Sequence, residues 1–115
     1  MSDLAGTRWL AEEVAGQRVL ATHAASIEFD QEGAAYGSTG VNRFRGPYEL
    51  DGDQLSFGAV ITTMMAGPPD AMAQEQAWLR ILETARSFRR EVDRLEIVAD
   101  GESIVLRPDD SIREL

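Results

Sequence analysis

The stretch "TGVNRFRGPYELDGDQLSFG", residues 39–58, decides how the chain is read. Its second half, "PYELDGDQLSF", forms two extended arms about Asp51-Gly52, a dipeptide suited to the positive φ angles of a type I′ hairpin turn. Tyr48 and Leu50 share one side of the first arm, and Leu55 and Phe57 share one side of the second. A hairpin with one apolar face is built to lie on a core. Its first half holds Gly40, Asn42, Arg43, Phe44 and Gly46, and two readings stay open for it. In one, the glycines permit a bulge or bend with Gly46 at positive φ, and the Asn42 side chain satisfies local backbone groups. In the other, Asn42 and Arg43 rim a pocket floored by the soft side chains of Met64 and Met65.

Towards the N-terminus, "SIEFD" alternates, with Ile27 and Phe29 on one face. "QEG" turns the chain and "AAYGSTGVN" returns as its partner. "TRWLAEEV" reads as a further strand anchored by Trp9, with "AGQ" turning the chain before "RVL". Towards the C-terminus the period changes. "PPDAMAQEQAWLRILETARSF" opens with prolines and an Asp, then sets Met72, Glu75, Trp78, Leu79, Leu82 and Ala85 along one stripe. The spacing predicts one amphipathic helix over about residues 70–86, its end favoured by Arg86, Arg89 and Arg90. Burying Trp78, Leu79 and Leu82 would stabilise the fold by roughly 1.5 to 3 kcal/mol each. "FRREV" and "RLEIVADGESIVLRP" resume alternation, with a second Asp-Gly turn at Asp100-Gly101. The order predicts a single α+β domain over residues 1–115, with its core over about 4–108. An antiparallel curved sheet or incomplete barrel carries the helix, and the tail 109–115 frays.

Composition narrows the functions. The 115 residues carry 20 acidic and 11 basic side chains, a net charge of -9, which is unsuited to a nucleic-acid backbone. Every basic residue is arginine, read here as coding bias. There is no cysteine, hence no disulfide, thiolate nucleophile or thiolate metal site. No run of 18 uncharged apolar residues is present to insert into a membrane, and the N-terminus lacks the basic and apolar regions of a secretory leader. The expected compartment is the cytoplasm.

The usual signatures of catalysis are missing. His23 is the sole histidine, it lies between strands, and no G-x-S-x-G elbow accompanies Ser26. "ELDGD" lacks the ligand spacing of a calcium loop, so Asp51 and Asp53 read as turn residues and no metal is expected. Glu12 and Glu13, as strand neighbours, point to opposite faces and cannot share a substrate. "GSTGVNRFRG" lacks both the spacing and the following helix of a dinucleotide loop, and no cofactor is expected.

Four motifs in order carry a family resemblance. "LAGTRWLAEEV", "GVNRFRGPYELDGDQLSFG", "TTMMAGPPDAMAQEQAWLRIL" and "DRLEIVADGESIVLRP", over about residues 4–108, closely resemble the META domain family, which includes a small heat-shock-inducible bacterial protein. The resemblance implies an α+β domain with an antiparallel sheet and one helix. Members are often secreted or lipid-anchored, are associated with heat shock, antibiotic tolerance or motility, and have no established catalytic residue. Many carry cysteines where this chain has Val41 and Ala66. The resemblance implies that those cysteines lie close enough to pair; this chain cannot pair them, a loss that suits a reducing compartment and a packed interior.

The expectation is therefore a non-enzymatic, stress-related domain that binds a partner protein. The alternative is a small carrier holding an apolar molecule between helix and sheet, lined by Phe44, Met64, Met65 and Trp78. A third reading, an enzyme using His23, has the least behind it.

Overall fold

The computed structural model describes residues 4–109. Its elements are β1 (Thr7–Val14), β2 (Gln17–Arg18), β3 (Ser26–Phe29), β4 (Ala34–Ser38), β5 (Arg43–Asp51), β6 (Gln54–Phe57), β7 (Ile61–Thr62), α1 (Pro69–Thr84), β8 (Ser87–Glu91), β9 (Arg94–Val98) and β10 (Ser103–Pro108). Neighbouring strands pair antiparallel in the order β1, β3, β4, β5, β6, β8, β9, β10, and β10 pairs back onto β1. The barrel is thus closed through eight strands, where the sequence had allowed an incomplete one. Closure runs from Trp9 opposite Pro108 to Val14 opposite Ile104, so β1 and β10 leave no open edge between them. Asp109 extends this pairing, its N–H donating to the Arg8 carbonyl at 3.0 Å, so the predicted fraying does not begin there; 110–115 lie outside the described residues.

Alternation along each strand fills the interior. Trp9, Ile27, Phe29, Leu55, Leu95, Ile97, Ile104 and Leu106 are all enclosed. The helix touches β6 on one side of the ring and β1 and β10 on the other, so it spans one mouth of the barrel. Its inward stripe is Ala71, Glu75, Trp78, Ile81 and Leu82, turned slightly from the predicted one, and Met72, Leu79 and Ala85 are only half-buried. Arg80 fastens the outer side through two hydrogen bonds to Glu102, at 2.8 and 2.7 Å.

Several local expectations change. The helix stops at Thr84 with no basic residue in its last turn, and Arg89 and Arg90 belong to β8. The exit is extended because Phe88 must turn inward opposite Ile97. In the central hairpin Asp51 pairs with Gln54, leaving Gly52 and Asp53 as the turn; Gly52 alone has positive φ, the type II′ pattern. The type I′ pattern occurs instead at Ala15-Gly16, with φ of 52° and 80°. Gly46 has no left-handed φ. It is needed for space, since a Cβ there would lie 3.0 Å from the Ala59 carbonyl oxygen and from a Val60 methyl. A bulge between Ala11 and Glu13 turns both Glu12 and Glu13 to solvent, where strict alternation would have separated them.

Asp30 closes the β3–β4 turn by accepting the N–H groups of Ala34 at 2.8 Å and Glu32 at 2.9 Å. The Ala34 bond first, then the Glu32 bond, holds its carboxyl below the ordinary 3.8. A lowered folded-state pKa adds stability that is present above the unfolded value and lost as pH falls through the folded one. Asp30→Ala should therefore melt below the wild type at neutral pH, with the gap narrowing as the pH falls below the ordinary 3.8. A gap that stays constant through that acidification would contradict this.

Candidate binding surface

The β4–β5 connection and the segment after β7 meet above the N-terminal half of α1. Thr39, Asn42 and Glu75 are the buried polar side chains of the described core. The Thr39 hydroxyl donates to Glu75 Oε1 at 2.6 Å, and Asn42 Nδ2 donates to both Glu75 oxygens, at 2.8 and 3.2 Å. Asn42 Nδ2 also donates to the Met65 carbonyl at 3.0 Å, while Asn42 Oδ1 accepts the Met65 N–H at 2.7 Å and the Thr63 hydroxyl at 2.8 Å. One amide thus binds both backbone groups of Met65, as a neighbouring strand would. Gln74 ties the same face of the helix to the His23 carbonyl at 2.8 Å and to the Leu20 N–H at 3.0 Å. Gly40 lies beneath it, with φ of 103° and no room for a Cβ, which would stand 2.6 Å from the His23 oxygen.

This network separates the predicted site residues. Asn42 is 3% exposed, and where the first reading had it satisfy local backbone it holds the backbone of Met65, 23 residues away, and the Glu75 carboxylate. Phe44 and Trp78 are buried together in the core, with ring centroids 5.8 Å apart. Trp78 Nε1 finds no hydrogen-bond partner among the described residues. Met64 and Met65 are 90% and 60% exposed, so they floor no pocket and cannot line an interior with Trp78. The cause is geometric: Asn42 holds the Met65 backbone at the barrel rim and leaves both side chains outside. A groove of about 510 Å³ does lie between α1 and the β1–β2 turn, but Leu20, Ala73, Gln74 and Ala77 line it and none of the predicted residues does. Ala66 is exposed where a packed interior was expected, although Val41 lies close to the adjoining Gly67, each Val41 methyl 3.3 Å from where a Gly67 Cβ would stand. His23 bonds Thr22 through Nδ1 at 2.9 Å on the surface, and no group of three metal-ligating side chains occurs among the described residues.

What comes together outside the barrel is apolar and cationic. Ile61 is 67% exposed and pairs with Arg45; Arg43, two residues earlier on β5, points out beside Thr63. Tyr36, opposite Arg45 on β4, lies beneath its guanidinium at 5.3 Å. Burial, and next the charge of Glu28, push the Tyr36 hydroxyl above its ordinary range. Tyr36, Arg43, Arg45, Ile61 and Thr63 border a groove of about 330 Å³. Sequence reasoning missed Thr39, Thr63 and Ile61. Glu75 was visible as a carboxylate within an apolar helix stripe, a sign of a buried polar partner.

Fold and surface together define a small antiparallel barrel, one mouth covered by a helix, with a rigidly held apolar rim. The chain belongs to the META domain family, whose sequence model matches residues 2–111. Among functionally curated proteins none matches it. Its fold is similar to that of an NMR structure of a protein from Burkholderia xenovorans (23% identity, TM-score 0.72, 92% of this chain and 83% of the other). A second NMR structure aligns at 21% identity and TM-score 0.75, covering 90% of each chain. A crystal structure of a DUF4847 family protein from Bacteroides vulgatus aligns at 13% identity and TM-score 0.65, over 91% of this chain and 94% of that one. No helix among the described residues is long and apolar enough to cross a membrane.

Proposed function

We propose that this META-domain chain is a binding protein rather than an enzyme, and that it engages a protein partner through the rim formed by residues 61–65. The observation that carries this reading is Met64, 90% exposed next to Met65, whose N–H and C=O the Asn42 amide holds. A large apolar side chain in water gains nothing for the isolated fold, and a rigid support lowers the entropy lost on association. Methionine adapts its shape to varied apolar surfaces, which suits contact with a partner. The absence of cysteine suits a reducing compartment, so the partner is sought in the cytoplasm, in the stress-related setting that the family resemblance implies.

A photo-crosslinking side chain at Ile61 should capture a partner from host cells. Met64→Ser/Met65→Ser should lower that capture at least tenfold with an unchanged melting temperature. Val92, 93% exposed on the β8–β9 turn, supplies the control, and Val92→Ser should leave capture intact. Equal capture by all three proteins would exclude the rim as the interface.

A further inference from the structure

We propose that the outer edge of residues 61–65 accepts an extended acidic segment of the partner as an added β-strand; this rests on the rim being the binding surface. Pairing with the barrel alternates along the segment. Ile61 pairs with Arg45, the Thr63 N–H donates to the Arg43 carbonyl at 3.0 Å, and the Asn42 amide takes both backbone groups of Met65. The intervening residues, Thr62 and Met64, therefore turn their N–H and C=O groups away from the barrel. β7 pairs with β5 alone, and neither residue's outward backbone groups have a partner among the described residues. Unpaired strand edges are commonly blunted by charge, proline or a bulge, yet "ITTMM" contains no charge and no proline. It keeps the form of a template for strand addition.

The charges beside it select the occupant. Arg43 and Arg45 face outward next to this edge, and neither makes an ion pair among the described residues, whereas Arg80, Arg86, Arg89 and Arg107 each have a carboxylate neighbour. A two-fold pairing of the edges of two copies would bring these arginines together, like charge against like. An incoming strand with carboxylates on its outer face places them beside Ile61 and Thr63, which border the same groove as Arg43 and Arg45. Its other face sets apolar side chains against Thr62 and Met64. The partner segment alternates acidic and apolar residues.

An amidated heptapeptide alternating aspartate and valine is the probe, with its lysine-valine counterpart as the comparison. At saturation, amide hydrogen exchange at Thr62 and Met64 should slow at least tenfold, and the lysine peptide should produce no such protection. Arg43→Gln/Arg45→Gln should weaken binding at least tenfold, and Thr62→Pro, which removes an edge donor without taking a barrel hydrogen bond, should abolish it. Unprotected Thr62 and Met64 amides, equal binding of the lysine peptide, or undiminished binding by the glutamine variant would each overturn strand addition. Loss of the cellular partner by the Met64/Met65 serine variant, with no peptide protection, would retain the rim as interface and reject the acidic strand. Retention of the partner by that variant would reject the rim itself.

Discussion

Trp78→Ala should lower the unfolding free energy by about 3 to 5 kcal/mol, the usual cost of emptying the place of a large aromatic side chain. Trp78 is 0% exposed, and it joins the helix to β5 through Phe44. Ile81 and Leu82 on the same helix are likewise fully enclosed, so the void would open inside a close-packed core. Trp78→Phe should behave differently. Its smaller ring loses some packing, but it also removes an indole N–H that has no partner among the described residues, an offset of about 1 to 3 kcal/mol. The phenylalanine variant should therefore lie within about 1.5 kcal/mol of the wild type. Urea unfolding followed by the remaining Trp9 fluorescence measures both. A loss below about 1 kcal/mol for the alanine variant would remove Trp78 from the core.

Asn42→Ala should cost about 3 kcal/mol, more than its size suggests. The substitution strips Glu75 of one of its two neutral donors, and no arginine takes its place. It also leaves the Met65 N–H and C=O without their side-chain partner. Unmade hydrogen bonds to a buried carboxylate cost more than the bonds contribute when present, so the loss falls on both sides of the contact. In a double-mutant cycle, Asn42→Ala and Glu75→Ala should couple by at least about 1 kcal/mol, because each removes the other's partner. The Met65 amide should exchange faster in the single variant while the Ile97 amide, on the far side of the barrel, keeps its protection. Additive effects in the cycle would dismiss the network as a unit.

Local chemistry made much of this fold readable. The Tyr48–Phe57 hairpin, the Ile27–Phe29 strand and the helix each announce themselves within a few residues, because period and turn composition are short-range properties. Barrel closure is not of that kind. Trp9 and Pro108 pair across nearly the whole chain, and nothing in "TRWLAEEV" names its second neighbour. The bulge that exposes Glu12 and Glu13 depends on β10 in the same way. At the rim, Asn42 was legible as a residue that bonds backbone; that its backbone partner is Met65, 23 residues away, was not. Nor was the outward placement of Met64, since exposure depends on which side of the segment Asn42 grasps. Glu75 was placed in the helix stripe with no partner assigned, because its partners come from a loop more than 30 residues away.

The pairing of β1 with β10 also orders events in time. During synthesis β1 emerges before the other strands of the barrel and can meet β3 within a few seconds of translation, while its other edge waits for residues 103–108. For that interval the growing chain carries an open strand containing Trp9 and Leu10, the kind of edge on which chains add to one another. The last strand to be made is thus the one that ends the period of risk, and a chain halted before it would be left with two unprotected edges.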